Sequence, residues 1–600
     1  MDIMNFKNLF INFNLSKRDA IYILILLAYS IFIVSSNIIC NLDYNIHPDV
    51  LAFLCNSLRF AGLTSNSYNS SLMYLSPVFC FLTSILFRLG LVHESAIFIV
   101  SGVFSIIGNV GLYILFKNRF NGLLSFFGVL LFTTFTAVVR FLANGTVDLP
   151  SIAVSIWILV FLVIAVNKNP KYYIICALLL ILGIFTKYTV LFMIPLIVLY
   201  FFSKHNVFNT LDLLLSDRNE FKSSAISFLK SKEFKYILIA CILAVILFAG
   251  ISAVISSQGS GLTFITQSKD ASSNFAANKY VGEYGYNDSS NYYIEHFNEA
   301  LYSRDTSFTA SHFMQLFGIV MAIALIMQAA NIVKNRDALK ELKSKSKGFN
   351  VRHLNIFMII VMFALFIVTI FYATKNHLIA NTALLAGFVI IYSLLDNLGI
   401  DKKAYSMNLL MLAWFLVYFI FFSAITIKTT RYMLTIIPPF VYFVLWAGES
   451  VIYGIENRLD SKETFIKRYT DFKPLSFDKK SNLMKLVKIA IIIGMIIVVY
   501  HALTTDLDPL SAISNEDLDA TYDFIIEHDD NYKNKSILSD KLYYSRYGSW
   551  YLLKQVNYIK DNKTMDLKKN DYMLVDRVEY FNDYDLIFKS GKVHLYKYVG

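Results

Sequence analysis

Charge is what this 600-residue chain has least of: Asp, Glu, Lys and Arg make up 16% of it, and 56% is hydrophobic. Soluble domains carry about a quarter charged residues, so an ordinary soluble fold is excluded. Cysteine is scarce too. The five cysteines have no metal-like spacing, which gives neither a zinc site nor a clear disulfide frame. Nucleotide-binding signatures are missing: there is no Walker motif, and no GxGxxG opens a helix after a strand. No internal repeat is visible, which weakens a transporter built from repeated halves. A removable leader is not expected, because Ala20 to Cys40 is too long for a signal-peptide core and no small-residue cleavage site follows closely.

What the chain has instead is a succession of apolar runs of about 20 residues, the pattern of a polytopic helical membrane protein. Thirteen spans are expected, near 20–40, 95–116, 122–140, 149–166, 172–186, 188–203, 236–256, 312–333, 354–373, 378–396, 406–426, 432–454 and 486–503. The net charge of +11 does not point to nucleic acid, since the basic residues cluster in short segments between the runs. Lys7, Lys17 and Arg18 precede the first span, and "KNRF" (117–120) and "KELKSKSKGFNVRH" (340–353) fall in loops on the same side. By the positive-inside rule the N-terminus is cytoplasmic.

One segment decides this topology. "MYLSPVFCFLTSILFRLG" (73–90) is apolar enough to cross, and crossing would move every later basic loop to the other side. Ser76, Cys80, Ser84 and Arg88 recur every four residues as a less apolar helical stripe, so a helix lying at the outer interface is expected. His47–Phe60 is expected to be a second such helix. Residues 504–600 form a polar tail that reads as a small α/β domain with a terminal hairpin "DLIFKSGKVHLYKY", and an odd number of spans puts it outside. The expected domains are therefore a transmembrane domain, 1–503, and an extracytoplasmic α/β domain, 504–600, in a multi-pass protein of the cell membrane.

On this topology several ionisable residues converge at the outer ends of spans. Asp43 and Asp49 follow the first span, and Arg140 and Asp148 bracket the connection between the third and fourth. Lys187 sits in "GIFTKYT", and Lys428, Arg431 and Tyr432 sit in "IKTTRYMLTIIPP". Charges at membrane depth are costly and usually pair or act. Ordinary roles stay open beside the functional one: Asp49 and Asp148 as helix-start acids, Asp43 as a solvated loop acid, the cations as interface anchors. His47 beside Pro48 reads as a cap or turn, with a metal role as the alternative. The tyrosines of 257–311, among them Tyr292 and Tyr293, read as packing, with stacking on a sugar as the alternative.

Taken in order, these segments resemble the GT-C superfamily of membrane glycosyltransferases, especially the branch of protein O-mannosyltransferases and the lipid A aminoarabinose transferase. "HPDVLAFLCNSLRF" is similar to the acidic motif after the first span, with Val50 where many members carry a second acid. "YLSP" is similar to the opening of the interface helix, and "NGTVDLPSIAVSIWIL" to the second acidic motif. "GIFTKYTVLFMIPLIVLY" resembles the Thr-Lys segment, and "KTTRYMLTIIPPFVYFVLWAG" the Lys-x-x-Arg-Tyr segment. The resemblance covers nearly the whole chain.

It implies a sugar donor on a polyprenyl phosphate and an acceptor hydroxyl of protein, lipid or glycan on the outer side, joined with inversion. Such a transfer needs a base for the acceptor proton and cations for the departing phosphate. Asp49 is then the candidate base, Asp148 a second acid that orients the acceptor or a metal, and Asp43 the alternative base. Lys187, Lys428 and Arg431, with the adjacent Tyr432 and with Arg140 in reserve, are candidate phosphate contacts. No cofactor is certain, and a divalent metal stays open. The bilayer holds the lipid tail, and no nucleic acid is expected. A lipid-linked polysaccharide polymerase or ligase, and a flippase or transporter of a lipid-linked sugar, are the alternative functions.

Overall fold

A computed structural model describes residues 13, 15–42, 46–64, 76–205, 218–257, 289, 291–302, 309–335, 349–397, 402–425, 427–457, 482–504, 515–558, 571–576 and 583–599. The helices are α1 (Lys17–Leu42), α2 (Pro48–Ala61), α3 (Pro77–Arg88), α4 (Ser95–Lys117), α5 (Gly122–Thr134), α6 (Thr136–Phe141), α7 (Asp148–Asn167), α8 (Tyr172–Thr186) and α9 (Met193–Phe202). They continue with α10 (Lys232–Ser257), α11 (Thr309–Lys334), α12 (Phe349–Tyr372), α13 (His377–Asn397), α14 (Lys402–Ala424), α15 (Ile437–Asn457), α16 (Asn482–Thr504), α17 (Glu516–His528) and α18 (Leu542–Tyr551). Short 3-10 turns, Tyr188–Phe192 and Thr430–Ile436, lead into α9 and α15.

Among the described residues nine helical segments are long and apolar enough to cross a membrane: α1, α4, α7, α10 to α14, and Thr430–Ile455. Helix is also found at the other four expected spans. Three of these are shorter apolar pieces, Gly122–Thr134, Tyr172–Thr186 and Tyr188–Phe202, and the fourth is α16. The chain is thus a polytopic helical membrane protein. Burial sorts the helices. α7 is apolar all round and buried along nearly its whole length, as a helix in the middle of a bundle must be. α1 and α12 expose Leu24, Phe32, Ile39, Phe363, Ile367 and Ile370, side chains that suit lipid and not water.

The two helices of the segment that decides the topology pack against each other. α3 has 12 residues, about 18 Å of helix against a hydrocarbon core of about 30 Å. It packs on α2 and α4 and turns Phe81, Ile85 and Leu89 outward. α2 starts on Pro48, whose ring suits the first helical position. His47 accepts the Asp49 amide at Nδ1 (3.1 Å), the cap expected of it, and Gly62 closes the helix with φ +76°.

Opposite, ion pairs tie the other helix ends together. Asp19 at the start of α1 accepts from Tyr113 (2.6 Å), and Arg119 after α4 meets Glu449 of α15 at 2.6 Å with both buried. Lys204 meets Glu233 at 2.7 Å.

The C-terminal residues form a five-stranded sheet of β1 (Ile537–Ser539), β2 (Val556–Tyr558), β3 (Tyr572–Val575), β4 (Tyr584–Ser590) and β5 (Val593–Tyr598), in the order β2-β1-β3-β5-β4. β1 runs parallel to β2 and β3, with Ile537 opposite Val556 and Tyr572, and β3, β5 and β4 are antiparallel. β1 and β3 are buried throughout, as strands covered on both faces are. One apolar cluster runs from Val50, Leu54, Leu58 and Phe79 on α2 and α3 into Tyr522, Ile537, Tyr547 and Leu595 of this α/β part. The α/β part is therefore packed onto this helix pair through a shared core, with α18 against α2.

Candidate active site

Five segments distant in sequence meet where α2 crosses the start of α7. The connection before α7 is unusual backbone: Ala143 has φ +52° and Gly145 φ +80°. A Cβ on Gly145 would come within 2.8 Å of Val50 Cγ1, so only glycine lets this loop lie against α2. Asn144 accepts from the Thr146 amide and hydroxyl, and Ser101 accepts the Gly145 amide. Asn144 itself is buried. Behind this loop Asp148 opens α7, and Asp49 stands in the first turn of α2.

Each acid has a cation. Lys187 lies in one extended residue between α8 and the 3-10 turn at Tyr188, a break that frees its side chain to reach Asp148. Its Nζ is 2.5 Å from Asp148 Oδ1, with side-chain exposures of 16% and 5%. Arg431, in the 3-10 turn before α15, donates from Nη1 to Asp49 Oδ2 at 2.8 Å, with exposures of 26% and 39%. Arg431 also bears electrostatically on Asp148. Tyr432 places its ring 5.5 Å from Lys187 Nζ and 5.7 Å from the Arg431 guanidinium. It stacks on Phe422 at 4.8 Å, which fixes the ring between the two cations.

Asp49 is shaped by opposing effects. Burial pushes its carboxyl up, but the Arg431 charge, His47, the Arg431 hydrogen bond and Arg546 together hold it below the usual carboxylate range. Burial lowers the neighbouring His47 against the pull of Asp49, whose Oδ2 is 3.8 Å from His47 Nδ1.

The remaining sequence candidates fall elsewhere. Lys428 is buried and donates to the Ser423 and Ile425 carbonyls at 2.9 and 2.8 Å, so it caps the end of α14. Arg140 sits half-buried on α6, which packs against the Thr430–Ile436 turn. Asp43 lies outside the described residues, as do Tyr280, Tyr284 and Tyr286. Tyr293 is buried against Phe422, so it packs, while Tyr292 lies on His296. Among the described residues no group of three or more His, Cys, Asp and Glu side chains comes together that could hold a metal.

One residue was missed in the sequence. Arg546, on α18 of the α/β part, donates from Nη1 to the Pro48 carbonyl at 3.0 Å and lies 3.9 Å from Asp49 Oδ1. Its signal was a single arginine inside the aromatic run "YYSRYGSWY".

The family model of dolichyl-phosphate-mannose-protein mannosyltransferases matches residues 75–213, a stretch that holds α3, Arg140, Asp148 and Lys187 but neither Asp49 nor Arg431. No curated protein matches the chain. Among solved structures, ArnT from Cupriavidus metallidurans bound to undecaprenyl phosphate is similar at 9% identity, over 96% of this chain and 97% of that one, with a TM-score of 0.46. The same protein in the apo state is similar at 9% identity, over 92% and 93%, with a TM-score of 0.41. The resemblance to GT-C membrane glycosyltransferases, read from five motifs, is met by a family match over residues 75–213.

Proposed function

We propose that this chain is an inverting glycosyltransferase that moves a sugar from a polyprenyl phosphate to an acceptor hydroxyl on the outer side of the membrane. The observation that carries this reading is the pairing of two acids from different helices with two cations across one packed junction, Asp49 with Arg431 and Asp148 with Lys187. The family matched over residues 75–213 is named for a polyprenyl-phosphate donor, which fits two cations placed beside apolar helices. The α/β part, residues 504–600, is then the extracytoplasmic domain over that site, and the N-terminus is cytoplasmic.

In this mechanism the acceptor oxygen attacks the anomeric carbon, the bond from that carbon to the phosphate oxygen breaks, and polyprenyl phosphate leaves. The acceptor proton passes to Asp49. Arg431 can bind the phosphate through its planar fork, with Lys187 as a point charge, and Tyr432 holds the two cations on one side. In the ligand-free protein Arg431 is engaged by Asp49. An arriving phosphate competes for that guanidinium, and the carboxylate so released loses its main partner and becomes the stronger base. Asp148 orients the acceptor from a fixed position at the start of α7.

The test has two arms. Polyprenyl phosphates that copurify with the full chain are identified by mass spectrometry, and the attached sugar names the donor. With that donor, Asp49→Asn should keep donor binding yet lose transfer by roughly 10²–10⁴-fold, the usual worth of a general base. Normal transfer by Asp49→Asn would remove Asp49 as the base.

A further inference from the structure

The two acids and two cations of the site balance. Arg546 is the third cation, and it comes from the α/β part, 498 residues along the chain from the carbonyl it touches. We propose that Arg546 is a positioning residue for Asp49: it anchors the first turn of α2 through the Pro48 carbonyl and sets its guanidinium against the Asp49 carboxylate. The inference rests on the reading of Asp49 as the base.

The geometry fixes Arg546 from several sides. Its Nη1 donates to Pro48 O at 3.0 Å, and its own carbonyl accepts the Cys55 thiol at 3.6 Å. Pro48 and Cys55 are seven residues apart, two helical turns, so both ties fall along one face of α2. One turn further along α18, Trp550 stacks on Phe87 of α3, with ring centres 5.8 Å apart and planes at 28°. α18 is therefore held in register against both helices. Its position is not needed to satisfy Arg546: the side chain is only 15% exposed, and Nε is buried without a hydrogen-bond partner. A buried, incompletely satisfied guanidinium is costly to keep. Next to Asp49 it supplies an electrostatic effect that an apolar side chain of the same size could not.

Among the described residues, the charged groups that face Asp49 are few. His47 precedes it at 3.8 Å, Arg431 reaches it from the turn before α15 at 2.8 Å, and Arg546 reaches it from α18 at 3.9 Å. Asp148, with Lys187 behind it, opposes them from α7. Arg431 is the group that a bound phosphate would draw away. Arg546 is spoken for by a backbone carbonyl, so it stays when Arg431 shifts. It keeps Asp49 ionised and aimed at the acceptor through the reaction.

The test reads the protonation of Asp49 without any substrate. pH-difference infrared spectra are recorded on the full chain in lipid nanodiscs, and the protonated-carboxyl band that vanishes in Asp49→Asn is assigned to Asp49. In Arg546→Gln, and in Arg546→Met as a second variant of similar size, its midpoint should rise by about one pH unit, the low end for a charge at this distance. Arg546→Lys should bring it back. Trp550→Leu, which loosens the docking and leaves the charge, should move it much less. An unmoved midpoint in both Arg546→Gln and Arg546→Met, with thermal unfolding showing folded protein, overturns the proposal. So does a Trp550→Leu shift as large as that of Arg546→Gln. Because transfer is not measured, these results stand apart from the fate of Asp49 as the base, which Asp49→Asn decides on its own.

Discussion

Lys187→Met separates two roles that the sequence could not tell apart. The substitution keeps the apolar stem and removes the ammonium that lies 2.5 Å from Asp148. Asp148 is then left charged in a place where its side chain is 5% exposed. Removing one member of a buried pair costs about 3–5 kcal/mol. Here the start of α7 still offers about 0.3–1 kcal/mol of dipole stabilisation, and Arg431 still bears on the carboxylate. The expected loss is therefore about 3 kcal/mol. Adding Asp148→Asn removes the stranded charge while keeping a good helix-start residue. The double variant should recover to within about 1 kcal/mol of the parent. The assay is a double-mutant cycle in thermal unfolding of the full chain in detergent, where only a direct interaction gives a coupling energy of this size. A second readout, binding of a polyprenyl phosphate, should stay weakened about tenfold in the double variant, because the cation is still missing. A double variant as unstable as Lys187→Met alone would refute the pairing. Full restoration of lipid-phosphate binding by the second substitution would refute Lys187 as a phosphate contact and leave it a purely structural partner of Asp148.

Arg431→Ala should weaken polyprenyl phosphate binding tenfold or more, given about 1.5–3 kcal/mol for a charge-assisted contact, and Arg431→Lys should rescue it only in part because the fork is lost; unchanged binding in Arg431→Ala removes it from the site. In the α/β part, burial and the neighbouring Asp576 push the Asp540 carboxyl up to about 6. Folding therefore holds that proton, and the stability it brings is full below the unfolded value of roughly 4 and is lost as pH rises towards 6. Asp540→Asn should raise the unfolding temperature of that part at pH 7 and leave it unchanged at pH 4, and the opposite order sinks the argument. Topology is checked by labelling single cysteines at the exposed positions Lys168 and Lys592 in a background without the exposed Cys40 and Cys241. Lys168→Cys should react only from the cytoplasm and Lys592→Cys only from outside, and reaction from one common face would undo the sidedness.

Much of this architecture was written in local chemistry. Apolar runs of helical length, separated by basic loops, specify membrane helices because backbone groups in lipid must be satisfied within the helix. The helix Pro77–Arg88 was legible from a polar residue every fourth position and from the proline that starts it, since both act within one helix. Asp49, Asp148, Lys187 and Arg431 could be singled out for the same reason: a charge beside an apolar run is expensive wherever the rest of the chain goes. What the sequence could not assign is who pairs with whom. Asp49 and Arg431 are 382 residues apart, and their 2.8 Å contact exists only because α2, the Gly145 turn and the turn before α15 are packed together. Lys428, close to Arg431 in the chain, was expected at the phosphate. It turns instead onto the carbonyls that end α14, because the last carbonyls of a helix attract a cation wherever one is in reach. Arg546 could not be placed at all by local reasoning, for its neighbours in sequence are the tyrosines of a small α/β part. Only the shared core between that part and the two helices α2 and α3 brings its guanidinium to Asp49. Local composition fixed which segments enter the membrane and which residues are costly there, while long-range packing decided the partners, because ion pairing depends on distances that only the folded chain sets.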